Sequence, residues 1–262
     1  MIDRYLLYVA TDRLAIMTFC VGIKLEHGLV ALADTQIVKG GERLSKGKLA
    51  LVQHRAQQLF IMTSGLRSVR DKAVIYLEEK LAEAGADFQR LYQVAQAFGE
   101  QLRRTRREDG AALAEGGLSF NLHAIVGGQL DGDPKPTLFY VYPEGNWIEA
   151  TTDSPYFILG RTLYGKPILD RLLTAETPLA QALALAYLAF DATRTSVVDV
   201  AFPIDVIVLD PVTRSLFQQR FDAPALASAV AWWQQCLRTA LGEFPMDWAK
   251  SLLSNVALTK SD

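Results

Sequence analysis

A chain of 262 residues, half of them hydrophobic and 21% charged, can bury a core of ordinary domain size, which excludes a disordered polymer. Its 27 Lys and Arg against 29 Asp and Glu leave a net charge of −2, a near-balance that argues against a protein held to nucleic acid by clustered cations. Two distant cysteines, Cys20 and Cys236, and three scattered histidines offer neither a disulfide framework nor metal-ligand spacing, so a reduced, cytoplasmic chain with no metal or organic cofactor is expected.

The first 17 residues carry an apolar run, Tyr5 to Ala10, that Asp12 and Arg13 soon close, too short for a signal peptide. From Thr18 the chain reads TFCVGIKL-EHG-LVALADT, two apolar runs about a tight turn, which predicts a β-hairpin ending at Asp34. Both faces of its second run are apolar, as expected of a strand covered on both sides. After Gly40-Gly41 come short runs around Leu44 and from Lys48 to Val52, then a strand from Gln58 that ends at Gly65. Two helices follow, one with Val69, Ala73, Tyr76, Leu77 and Leu81 on a face, the next with Phe88, Leu91, Tyr92, Ala95, Phe98 and Leu102. The cluster RRTRRED at 103–109 reads as a solvated helix C-terminus.

SFNLHAIV, TLFYVY and NWIEAT then predict an antiparallel meander, and helical spacing returns over Leu163–Leu173 and Pro178–Ala192. The longest apolar stretch, Leu179 to Phe190, is interrupted by Gln181 and falls short of the roughly 20 residues that span a bilayer, so no membrane partner is expected. A strand Val200–Leu209, its partner Ser215–Phe221 and a helix with Leu226, Val230, Trp233, Leu237 and Leu241 close the chain. Runs of strands alternating with pairs of helices predict an α+β, four-layer αββα sandwich of two antiparallel sheets flanked by helices.

With metal and histidine chemistry set aside, the nucleophile candidates are hydroxyl, thiol and amine groups. Thr18 opens the first strand. A threonine hydroxyl needs a base, and an α-amine on the same residue, of pKa about 8, serves if Thr18 begins the mature chain. The plain alternative is a β-propensity residue entering a strand. Antiparallel pairing returns Asp34 beside Thr18, where it can orient a cation. Lys46 and Lys48 share a face at period two, so either can supply it, and Gly65 can offer a backbone N–H to an oxyanion. Cys20 shares the parity of Thr18 and reads as a small buried hydrophobe, and His27 and His123 as structural.

The run MTFCVGIKLEHGLVALADT resembles the opening of proteasome-type β subunits, which are N-terminal nucleophile hydrolases. The stretches GLSFNLHAIVGGQLDGDPKPTLFYVYPEGNWIEATTDSPYFILGRTLYGKPILDRLLT and FDATRTSVVDVAFPIDVIVLD are similar to Anbu, the ancestral β-subunit branch of that family. The resemblance implies a catalytic Thr18, an aspartate at Asp34 and a lysine at Lys48, the segment KLALV matching the one that opens with that lysine. It places the supporting serine and aspartate at Ser196 and Asp199 in exchanged order, and puts Arg161 where many relatives carry a serine.

On this basis the expected function is threonine-type cleavage of peptide bonds by a homo-oligomer built as rings or ring-like spirals. An amidase acting on small amides and a catalytically silent scaffold subunit are the alternatives, and an unfoldase partner is left open. Residues 1–17 are expected to be a leader or a misassigned start, with 18–262 a single catalytic domain bearing a C-terminal helical extension. Lys48, read as a strand-edge side chain, is expected to add little to stability.

Overall fold

The structure, a computed structural model, describes residues 18–39, 42–45, 47–83, 87–210 and 212–254. Lys46, the Gly40-Gly41 turn and residues 1–17 lie outside the described residues. The chain divides into two units, one reaching Asp222 and one starting at Ala223.

The first unit holds two five-stranded antiparallel sheets. One has strands β1 (Phe19–Leu25), β2 (Gly28–Asp34), β10 (Tyr156–Gly160), β11 (Ile204–Leu209) and β12 (Leu216–Phe221) in the order β10-β1-β2-β11-β12. The other is the meander β5 (Leu49–His54), β6 (Gln57–Ser64), β7 (His123–Gly128), β8 (Thr137–Val141) and β9 (Trp147–Glu149). A two-stranded ribbon, β3 (Gln36–Lys39) and β4 (Glu42–Ser45), branches off after Asp34.

β1 and β2 are buried along nearly their whole length, so both of their faces are apolar and the first sheet packs on both sides there. Cys20, Ala31, Ala33, Leu159 and Ile207 of the first sheet meet Phe60, Met62, Ile125 and Leu138 of the second in one buried core. The small Cys20, Ala31 and Ala33 share this core with the large Phe60 and Met62, as close packing requires. On its outer face the meander is covered by α1 (Arg67–Ala82) and α2 (Leu91–Glu115), through Val69, Ala73, Leu77, Leu91, Phe98 and Leu102. The first sheet is covered by α4 (Leu179–Ser196), which follows the short α3 (Lys166–Leu172) and packs on β1 and β2. This is the αββα sandwich.

Several boundaries differ from the sequence reading. α2 runs on to Glu115, so RRTRRED lies inside a helix rather than at its end. Its residues are engaged: Arg103 donates to the Gly145 carbonyl at 2.9 Å, Arg106 stacks over Phe120, and Lys72 holds Asp109 at 2.8 Å. The apolar face of α2 is spent on the chain's own meander, which leaves Tyr92 as its exposed large side chain. The strand expected from Val200 starts only at Ile204, because Pro203 has no N–H to give a ladder. β10 is a strand the sequence reading missed.

The second unit contains the helix α5 (Ala227–Gly242) and a short turn of helix α6 (Lys250–Leu253). Trp232, Leu237, Leu241, Phe244 and Trp248 are exposed on it.

Candidate active site

The start of β1, the end of β2, the start of β5 and the end of β6 come to one end of the sandwich. Thr18 immediately precedes β1 and is 6% exposed. The antiparallel register sets Cys20 opposite Ala33, so Asp34 returns beside Phe19 and accepts its backbone N–H at 2.8 Å. Thr18 is gripped from the other flank by the strand the sequence reading missed. Phe19 pairs with Gly160 across β1 and β10, and the Arg161 N–H donates to the Thr18 carbonyl at 2.8 Å.

Lys48 sits just before β5, with its carbonyl accepting from the Thr63 N–H of β6 at 3.1 Å. Its ammonium donates to both oxygens of Asp34, each at 2.8 Å. Both partners are buried, Asp34 fully and Lys48 to 6% exposure. Lys48 is therefore no strand-edge side chain, and the expectation that it adds little to stability is corrected: a buried ion pair leaves a costly charge when one member is removed. Burial pushes the Asp34 carboxyl up to about 6, against the pull of Lys48 and of the backbone N–H groups of Phe19 and Gln36.

Burial, then the Asp34 charge, drive the Cys20 thiol far above its ordinary range. A thiol so placed holds its proton and is no rival nucleophile. Among the described residues no group of three His, Cys, Asp or Glu side chains is disposed to hold a metal.

Gly65 follows β6 directly, two residues beyond Thr63, whose N–H donates to the Lys48 carbonyl. Its φ of +134° and a Leu122 Cα that a Cβ would approach to 2.8 Å leave room only for glycine. Asp199, 7% exposed, accepts from Arg161 Nη2 at 2.7 Å and Nε at 3.2 Å through its Oδ2. The backbone of that same Arg161 holds Thr18. The other carboxylate oxygen, Oδ1, is buried without a hydrogen-bond partner. Ser196, in contrast, is exposed on the last turn of α4 and turns its hydroxyl back to the Ala192 carbonyl at 2.9 Å. Asp34 and Lys48 thus meet beside Phe19, and Asp199 reaches the Thr18 backbone through Arg161, whereas the Ser196 hydroxyl is committed to its own helix.

A cleft of about 330 Å³ opens beside the ion pair, between the start of β5, the end of β6 and the first turns of α1. Lys48 and Thr63 lie on its wall.

The family model for proteasome subunits matches residues 18–209. The chain also resembles solved structures of Anbu. A helical assembly of the Anbu complex from Pseudomonas aeruginosa is 32% identical with a TM-score of 0.80, over 87% of this chain and 97% of that one. Anbu from Hyphomicrobium sp. strain MC1 is 32% identical with a TM-score of 0.77, over 87% and 98%. Anbu from Yersinia bercovieri is 29% identical with a TM-score of 0.77, over the same shares. No curated protein matches the sequence.

Proposed function

The chain belongs to the proteasome subunit family, in its Anbu branch, and from that premise we propose that it is a threonine-type peptidase acting through the N-terminus of Thr18. The observation that carries this reading is the Asp34 carboxylate, which holds the Lys48 ammonium through both oxygens and the Phe19 N–H at once. A fixed cation is thereby stationed next to the residue after Thr18.

In this mechanism Thr18 Oγ attacks the substrate carbonyl carbon and its proton passes to the Thr18 α-amine. Lys48, oriented by Asp34, stabilises the developing negative charge, and the Gly65 N–H receives the oxyanion. The C–N bond breaks as the amine returns its proton to the leaving nitrogen. Water then hydrolyses the Thr18 ester. Asp199 acts through Arg161, whose backbone fixes the Thr18 carbonyl.

The same reading includes self-association. A related chain forms a helical assembly, and the second unit exposes Trp232, Leu237, Leu241, Phe244 and Trp248, an apolar set of the kind that marks an interface. It also sets the protein in a reducing interior, where free Cys20 and Cys236 persist.

The test is labelling by a peptidyl epoxyketone, which forms a ring only with a hydroxyl and a free amine on one residue. A single adduct at Thr18, absent in Thr18→Ala, is expected. No adduct on a folded chain that begins at Thr18 would favour a silent scaffold subunit, and turnover of small amides but not of peptides would favour an amidase.

A further inference from the structure

The cleft beside Lys48 has apolar walls, Ala50, Ile61, Val74 and Ile75, and one charged end formed by Arg70 and Asp71 of α1. Arg70 is held firmly. Its Nη1 donates to the Gly47 carbonyl at 3.0 Å, and its Nε and Nη2 donate to Asp71 Oδ1 at 2.8 and 2.6 Å. The other oxygen of Asp71 accepts from Arg67 Nε at 3.1 Å. Desolvation works against its charge, but Arg70 and Arg67 keep the Asp71 carboxyl below its ordinary range, so it stays ionised.

Two consequences follow for a guest side chain. One carboxylate faces two guanidinium groups, and the Lys48 ammonium is answered by Asp34, so this end of the cleft carries a surplus positive charge. A guanidinium has five N–H donors. The three bonds above use one on Nε and one on each terminal nitrogen, which leaves a donor on Nη1 and another on Nη2 to meet an incoming carboxylate. A side chain with an apolar stem and an anionic tip satisfies walls and end together. A purely apolar one leaves those donors uncovered, and a cationic one meets like charge.

We propose that Arg70 is a specificity-determining residue, which reads a carboxylate on the side chain of the substrate residue whose carbonyl is attacked, with glutamate favoured. The proposal rests on the threonine-peptidase reading of the same site and adds the class of peptide it takes.

Three peptidyl epoxyketones, alike except for Glu, Leu or Lys at the residue bearing the electrophile, test it by their rates of adduct formation at Thr18, followed by intact mass. The Glu probe is expected to react at least tenfold faster than the Leu probe, with the Lys probe slowest. In Arg70→Met the Glu-to-Leu ratio should fall to about twofold or less, and in Arg70→Lys, which keeps a cation but not the fork, it should lie between. The wild-type ranking needs no variant, so a loosened Gly47 contact cannot mask the answer. Leu or Lys probes as fast as Glu in the wild type, or a Glu preference that survives Arg70→Met, overturns the role of Arg70 while leaving the nucleophile intact. Failure of all three probes to react sinks the threonine reading itself, and the proposal with it.

Discussion

Gly160 stands so close to Thr18 that a Cβ built on it would lie 1.8 Å from the Thr18 carbonyl oxygen. Its φ of +84° adds a conformation that side-chain-bearing residues avoid. Gly160→Ala must therefore push β10 away from Thr18 or twist the backbone, at a cost of about 1–3 kcal/mol for the dihedral alone. In a unit of this size that corresponds to a Tm lower by roughly 2–12 °C, before the collision is counted. Labelling at Thr18 should be lost with it. Thermal unfolding and epoxyketone labelling side by side check this, and a variant that keeps both would remove β10 from the positioning of Thr18.

The buried Lys48–Asp34 pair predicts a stability effect that the sequence alone did not foresee. Lys48→Met removes the cation and leaves Asp34, fully buried, without its charged partner, a change that costs on the order of 3–5 kcal/mol. The loss should shrink in acid, where Asp34 takes up a proton and no bare charge remains. Urea unfolding at pH 8 and pH 5 measures it. A loss below about 1 kcal/mol at both would mean that the site relaxes or hydrates more freely than its packing implies.

Asp34 also gives the first sheet a pH dependence of unusual sign. Burial raises its folded pKa to about 6 from an ordinary 3.8, so between those values the folded chain holds a proton that the unfolded chain has released. The contribution of this group is greatest below the ordinary value and falls as pH rises through about 6, by an order of 2–3 kcal/mol at most. Carboxylates such as Glu108, which hydrogen bonds from Lys72, Tyr76 and Arg104 lower to about 2, act in the opposite direction and at lower pH. Subtracting the stability profile of Asp34→Asn from that of the wild type between pH 4.5 and 7 isolates the effect. A flat difference would place the Asp34 pKa near its unfolded value.

The hairpin β1–β2 was legible because its signal is local: two apolar runs, a Glu26-His27 turn and an acidic stop at Asp34. That locality carried the neighbourhood of Thr18 and Asp34 with it. β10 was not legible. Tyr156 to Gly160 is five residues that follow Pro155 and end on a glycine, without alternation, and reads as the run-out of the meander. Its partner is β1, far back in the chain, so only the assembled sheet shows why Gly160 is a glycine. The extent of α2 was hidden for a similar reason. Asp109-Gly110 looks like a helix stop, yet Lys72 of α1 holds Asp109 across the helix pair and the helix continues. The burial of Lys48 could not be read either, since its partner Asp34 lies on another sheet.

Arg161 and Asp199 form an ion pair in which Asp199 is the buried member and Arg161 the partly exposed one. Arg161→Met should destabilise by about 1–3 kcal/mol, the exposed partner limiting the loss, because Asp199 is left a buried carboxylate with neither oxygen answered. Adding Asp199→Asn should recover part of it. A double-mutant cycle by chemical denaturation gives the coupling, expected at or above about 1 kcal/mol. Additive effects would show that the pair is solvated and that Asp199 owes its position to other contacts.

The proposed mechanism also fixes where the active chain must begin. The base in the proposed mechanism is an α-amine, and an amine locked in the Met17–Thr18 peptide bond has no basic lone pair, so a chain that keeps residue 17 must be inert however well it folds. The contacts that place Thr18 act from its C-terminal side: Arg161 on its carbonyl, Asp34 on the next N–H and Gly160 against its backbone. None of them needs the peptide bond to Met17. A chain released at Thr18 should keep the same thermal midpoint, within a few degrees, and gain epoxyketone labelling, whereas the same chain with its Thr18 amine acetylated should fold and stay unlabelled. N-terminal sequencing of the labelled species then reports the residue that carries the adduct. An adduct on a chain whose first residue lies upstream of Thr18 would refute the amine as base, and with it the threonine mechanism.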